Sequence, residues 1–213
     1  MSEKVALILV DIQNDFLEGG SLAVPDSNSI LKPVLHLIRQ IKQKDGLVIA
    51  TQDWHPQNHI SFASNHDDVN VFDVKQIEYE GQIIKQVMWP DHCVQHSSGA
   101  AFSESLDLKT IDCIVQKGMN SYVDSYSGFA DNQYNEITTL AKILYQHFVD
   151  TVYIVGLATD FCVKFTCLDS IKFGFKTVLV KDCTKPVDAK QWQVTLDQLE
   201  SKGVLIQASN ALF

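Results

Sequence analysis

The 213-residue chain contains no apolar run of the roughly 20 residues that a membrane-spanning helix needs. Positive charge is also scarce: Lys and Arg number 17 against 26 Asp and Glu, a formal net charge of −9. That is the wrong sign for tracking nucleic-acid phosphates or an anionic membrane surface, so neither partner is expected. The five cysteines, Cys93, Cys113, Cys162, Cys167 and Cys183, include no Cys-x-x-Cys pair. Neither a disulfide framework nor a zinc ribbon is indicated, and most of the thiols are expected to be reduced. No Asn-x-Ser/Thr acceptor site occurs, and the opening Met-Ser-Glu-Lys lacks the basic flank and small-residue cleavage site of a secretory signal. The closing Ala-Leu-Phe is not a Ser-Lys-Leu address. A cytoplasmic location is the expectation. With no internal repeat and no Pro/Ser-rich linker, residues 1–213 are expected to form one domain.

What is present is an apolar fraction of 46% arranged in short runs. Val5–Val10, Leu47–Ala50, Cys113–Val115, Val152–Val155, Thr177–Val180 and Val204–Ile206 have strand length and continuous apolar character, as in strands buried on both faces of a parallel sheet. Between them Ile30, Val34, Leu37, Ile38 and Ile41 recur at helical spacing, as do Ile137, Leu140, Ala141 and Leu144, and Trp192, Leu196 and Leu199. Pro33 suits the first turn of its helix, and Gly46 and Gly203 suit left-handed positions after helices. The alternation predicts an α/β fold, a doubly wound three-layer sandwich around a six-stranded, mostly parallel sheet. Residues 52–112 break the rhythm as an insertion rich in His, Asp, Asn and Ser. Its Val69, Val71 and Ile77, Tyr79 segments suggest a hairpin.

Ligands of an open parallel sheet bind beyond the carboxyl ends of the strands. Asp11 follows the first run, Asp53 and His55 the second, Lys117 the third, and Cys162 comes shortly after the fourth. Singly, each has an ordinary structural reading: a turn-capping Asp, a solvated Lys, a small buried Cys. Core packing gives no reason to gather all three types at strand ends. Together they suit acyl transfer from an amide through a thioester, with Cys162 as nucleophile, Asp11 as base and Lys117 balancing the negative charge. A helix N-terminus and the nearby cation are expected to lower the thiol's pKa. Backbone N–H groups from Ala158 to Cys162 could stabilise an oxyanion.

A second cluster runs from Gln52 to His59, followed at a distance by Trp89-Pro90-Asp91-His92-Cys93. Asp-x-His plus a remote His offers one oxygen and two nitrogen donors, a set suited to zinc, iron or manganese. His59 fits either a fourth ligand or a residue orienting the ligands or a bound water. His36 and His147 fall on helices and are expected at the surface. Phe16, Trp89 and Tyr126 lie beside the chemical residues, where flat rings would receive a planar, aromatic amide.

These residues, taken in order, resemble the nicotinamidase/pyrazinamidase group of the isochorismatase-like cysteine hydrolases. The likeness rests on Val10-Asp11-Ile-Gln-Asn-Asp15-Phe16, Asp53-Trp-His55-Pro, Trp89-Pro-Asp-His92-Cys, Lys117-Gly118, Tyr126-Ser-Gly-Phe129 and Gly156-Leu-Ala158-Thr-Asp-Phe-Cys162-Val. It covers nearly the whole chain. The resemblance implies the isochorismatase-like hydrolase fold and hydrolysis of nicotinamide to nicotinate and ammonia in NAD salvage. It implies an Asp11, Lys117, Cys162 triad and an oxyanion hole at Ala158 and Cys162, with a cis Leu157–Ala158 peptide. It further implies one divalent metal on Asp53, His55 and His92, zinc being the first choice, and a ring lining of Phe16, Trp89 and Tyr126. His59 matches a position that ligates in some members and only hydrogen-bonds in others. A homo-oligomer is compatible with this reading. The alternatives are a related cysteine amidase or isochorismatase-like hydrolase of another small amide, a thiol redox protein, and a non-catalytic ligand-binding homologue.

Overall fold

The structure, a computed structural model, describes residues 4–212. Met1–Glu3, read above for a leader, and Phe213 of the closing tripeptide lie outside them. Each of the six apolar runs forms a strand: β1 Val5–Val10, β2 Leu47–Asp53, β5 Cys113–Lys117, β6 Thr151–Leu157, β7 Lys176–Lys185 and β8 Leu205–Gln207. They pair in the order β5-β2-β1-β6-β7-β8, every pairing parallel. All six residues of β1 are buried, which is why that strand reads as an unbroken apolar run.

Helices cover both faces. On one, α1 (Leu31–Gln43) lays Val34, Leu37, Ile38 and Ile41 against Leu7, Leu9, Val48 and Ala50. On the other, α2 (Leu140–Gln146), α3 (Lys164–Lys172) and α4 (Trp192–Ser201) bring Leu140, Leu144, Cys167, Leu196 and Leu199 to Ala6, Ile8, Val10 and Ile154. Each such side chain contributes about 1.5–3 kcal/mol on burial, so the two apolar layers hold the sheet that carries the site. Pro33 is the third residue of α1, in its first turn as expected.

Three local expectations need correction. The hairpin pairs β3 (Val74–Tyr79) with β4 (Gln82–Val87), leaving Val69 and Val71 outside it. Its two-residue turn is Glu80-Gly81, both at positive φ, the geometry that matches strand twist. Ile137 lies before α2 and is exposed, because Thr138 turns the chain back through a hydrogen bond to the Gly128 carbonyl at 2.6 Å. After α1 the left-handed residue is Asp45, not Gly46; a β-carbon on Gly46 would crowd Ile41 and Val5, each at 2.9 Å.

Candidate active site

From β1 the chain works outward through β2 to β5; from β6 it works outward the other way through β7 to β8. The crevice at this reversal opens between β1 and β6, which pair from Val5↔Thr151 to Val10↔Gly156. Gly156 has φ of 114°, and a β-carbon there would run into the Val10 backbone. The absence of a side chain thus lets the two strand ends close up where Asp11 and Cys162 leave the sheet.

Asp11, fully buried, follows β1 directly. Its N–H donates to Thr51 Oγ1 at 3.2 Å, and its Oδ1 accepts from the same hydroxyl at 2.6 Å. Asp53 and Lys117 are register partners on β2 and β5, so the sheet itself brings them together. Lys117 Nζ donates to Asp53 Oδ1 at 2.5 Å, to the Ser125 carbonyl at 2.8 Å and to Cys162 Sγ at 3.6 Å. It also lies 3.0 Å from Asp11 Oδ2, an oxygen with no hydrogen bond of its own. Cys162 sits in a π-helical turn, Thr159–Val163, that leads into α3. The turn closes through Val163 N–H to the Ala158 carbonyl at 3.1 Å, and the Leu157–Ala158 peptide before it is cis. The structure therefore brings Asp11, Lys117, Ala158 and Cys162 to one place.

Burial decides the resting protonation. It raises Asp11 to about 6, against the opposing pull of Lys117 and with the help of Asp53. Burial also pushes the Cys162 thiol well above its ordinary range, Lys117 failing to outweigh it while Asp11 and Asp53 add to it. This reverses the expectation of a lowered thiol pKa. A buried sulfur beside two carboxylates holds its proton until a base removes it. Lys117, although buried, is held above its ordinary value by Asp11 and Asp53 and stays charged.

Asp53 turns its second oxygen to the histidines: His55 Nε2 lies 3.5 Å and His92 Nε2 3.9 Å from Oδ2. Ligand atoms of these three residues fall within 4.8 Å of one another, all buried. His55 Nδ1 meets the Gly118 carbonyl and His92 Nδ1 the Pro90 carbonyl, each at 2.8 Å. Carbonyls only accept, so both rings carry a proton on Nδ1, and each neutral ring has its lone pair on Nε2. His55 Nε2 is buried without a hydrogen-bond partner. An orphaned lone pair, a second one and a carboxylate, converging where two buried carboxylates, Asp11 and Asp53, share the Lys117 ammonium, fit a divalent cation.

His59 differs. Its Nδ1 accepts from the Ser61 N–H at 3.3 Å and faces the Ser61 hydroxyl at 2.7 Å, so the ring proton belongs on Nε2, which is buried and unpartnered. Burial and His55 lower its pKa to about 3, keeping the ring neutral. Near it lies a carboxylate that sequence reasoning missed, Asp124, with an oxygen within 4.8 Å of ring nitrogens of His55 and His59. Asp124 accepts from Gln86 Nε2 at 3.0 Å, which ties the long β5–α2 connection to strand β4. Gln13 was missed too. It grips the Asp53 backbone from both sides, Nε2 to its carbonyl and Oε1 from its N–H, each at 2.8 Å.

A narrow cavity opens onto Cys162, Asp53 and His92. Phe16, Trp89 and Tyr126 all line it, as expected from the sequence, and Trp89 Nε1 donates to the Tyr126 hydroxyl at 3.2 Å. Phe161 adds a fourth ring, packed edge-on to Trp89 with centroids 4.9 Å apart. Asp124 and Ala158 also line it, and Leu22, Val24 and Val187 add an aliphatic part. Neither Phe161 nor these three carried a signal beyond an apolar side chain in an irregular segment. His36 and His147 are exposed and away from the site, as expected. All five cysteines are free.

Comparison with known proteins gives a consistent picture. A family model described as the Isochorismatase domain matches residues 5–211. A nicotinamidase of Acinetobacter baylyi is 40% identical over 210 residues, covering 94% of each chain. Among solved structures, a nicotinamidase/pyrazinamidase of Acinetobacter baumannii superposes with a TM-score of 0.92 at 38% identity, covering all of both chains. A pyrazinamidase of Pyrococcus horikoshii in complex with zinc gives 0.78 at 38% identity, over 96% of this chain and 99% of that one.

Proposed function

The chain belongs to the isochorismatase-domain family, and from that premise we infer that it is a hydrolase that converts nicotinamide to nicotinate and ammonia. The observation that carries the chemistry is the meeting of Asp11 and Lys117 with Cys162, which lines an aromatic-walled cavity beside a histidine-carboxylate cluster.

In the proposed mechanism Asp11 Oδ2, the oxygen without a hydrogen bond, takes the Cys162 proton as sulfur attacks the carboxamide carbon. Asp11 is suited to this because its pKa of about 6 leaves it ionised at neutral pH, yet a stronger base than an exposed carboxylate. The C–S bond forms and the carbonyl oxygen becomes an oxyanion, facing N–H groups of the Ala158–Cys162 turn. Lys117 offsets the negative charge throughout. Asp11 then returns the proton to nitrogen, the C–N bond breaks and ammonia leaves. Water, deprotonated by Asp11, adds to the thioester; the C–S bond breaks, nicotinate departs and Cys162 recovers its proton.

Asp53, His55 and His92 would hold one divalent ion, for which zinc is proposed on the donor set and on the zinc-bound relative. The chemistry such an ion supplies is a positive anchor for the pyridine nitrogen, directly or through water. His59, with its proton on Nε2, is assigned as a hydrogen-bond donor beside the ion rather than a fourth ligand. The reaction suits nicotinamide salvage in the cytoplasm. Cys162→Ala should reduce ammonia release from nicotinamide by at least about 10³-fold; turnover retained in that variant would remove the thioester route.

A further inference from the structure

The polar groups and rings of the cavity account for only part of a bound pyridine amide. In a ring bearing its carboxamide at C3, atom C2 lies between the amide and N1, and C5 is diametrically opposite. With the amide over Cys162 and N1 toward Asp53 and His92, the C2 edge faces the reactive cluster. Aromatic side chains suit the two ring faces. Asp124 belongs with the histidines and Ala158 with the nucleophile turn, so the part of the lining left for the C5 edge is aliphatic: Leu22, Val24 and Val187.

This wall is built from two distant segments that are tied in place. Leu22 and Val24 lie between β1 and α1, where their N–H groups donate to the Asp15 carbonyl at 3.0 Å and the Phe16 carbonyl at 2.9 Å. Val187 follows β7, and its position is set by Asp160, a buried residue of the turn that carries Cys162. Asp160 Oδ1 accepts from Val187 N–H at 2.9 Å and Oδ2 from Asp188 N–H at 3.0 Å. A Thr159–Thr184 hydroxyl contact of 2.7 Å ties the same turn to the end of β7. Lys185 Nζ reaches Asp26 Oδ2 at 2.5 Å and joins the two segments at the surface.

Resting on the function inferred above, we propose that Leu22, Val24 and Val187 form a size filter for substituents on the ring edge opposite C2. Asp160 is the positioning residue that keeps Val187 in that wall. Because Asp160 belongs to the nucleophile turn, wall and nucleophile keep a fixed separation, and a bulky C5 group would push the amide carbon away from Cys162.

The test is ammonia release from nicotinamide and from nicotinamides carrying methyl, ethyl or isopropyl at C5, using the metal-loaded protein. In the parent, kcat/KM should fall along the series. Val187→Ala should raise the ratio of bulky to unsubstituted substrate by about tenfold or more, and Val187→Leu should lower it. Asp160→Asn, which loses one acceptor oxygen, should relax the same ratio; a residue needed only for stability would lower all substrates alike and leave the ratio fixed. The filter is rejected if the profile of folded Val187→Ala overlays that of the parent. Should Val187→Ala fail to fold, an unchanged ratio in Val187→Leu rejects it equally. A parent that releases no ammonia from nicotinamide itself overturns the underlying activity, a result distinct from a flat substituent profile.

Discussion

In the proposed mechanism a single side chain, Asp11, has to be both ionised and basic. Burial raises its pKa to about 6, while Lys117 keeps it from rising further. The working form is the carboxylate, so protonation from the acid side removes the base. The acid limb of kcat/KM should therefore lie no higher than about pH 6, with activity falling tenfold per pH unit below it. Asp11→Asn should abolish turnover rather than move the limb. Rate measurements from pH 4 to 8 would check both; an acid limb that persists in Asp11→Asn would assign it to another group. Cys162 cannot supply this limb, because its thiol holds its proton well above neutral pH.

The elements place these residues through strand order and register, and what could be read in advance follows from that. Continuous apolar runs such as Val5–Val10 were legible because a strand buried on both faces has no polar side to hide its signal. The β3–β4 pair was only partly legible. With Val74 and Ile83 exposed, its apolar residues do not mark a buried face. Asp11, Asp53, Lys117 and Cys162 were legible as strand-end residues; that Lys117 donates to Asp53 was not, since it depends on β5 lying next to β2. Asp124, Gln86 and Val187 lie in segments, or make contacts, whose approach to the cavity is set by tertiary packing alone. At this scale Leu37, fully buried where α1 meets the sheet, gives a clean stability test. Leu37→Ala should cost about 2–5 kcal/mol in denaturant unfolding and leave KM for nicotinamide unchanged in the protein that remains folded, because α1 supplies no cavity residue.

For the molecule as a whole, an ion held as proposed by the buried histidine-carboxylate cluster would be a structural partner as well as a chemical one. An ion that binds only the folded chain, present at about 1,000 times its dissociation constant, adds about 4 kcal/mol of stability. For a chain of this length that corresponds to roughly 10 °C in Tm. Chelation should lower Tm by about this amount and remove ammonia release, and adding zinc, iron or manganese in turn should show which ion restores each. His92→Ala should blunt the Tm response; a full response in that variant would remove His92 from the ligand set. The net charge of −9 is no obstacle, since a neutral amide needs no global complementarity.

Asp53 gives one oxygen to Lys117 and the other to the histidines. Charge on one side is consequently felt on the other. A cation at the histidines makes Asp11 more acidic, and thermodynamic reciprocity then requires a proton on Asp11 to loosen the cation by the same factor. Acid thus acts as a competitor for the ion without ever touching it. Near the lower edge of its working range, each proton taken up at Asp11 should therefore remove the base and weaken the hold on the ion in the same step.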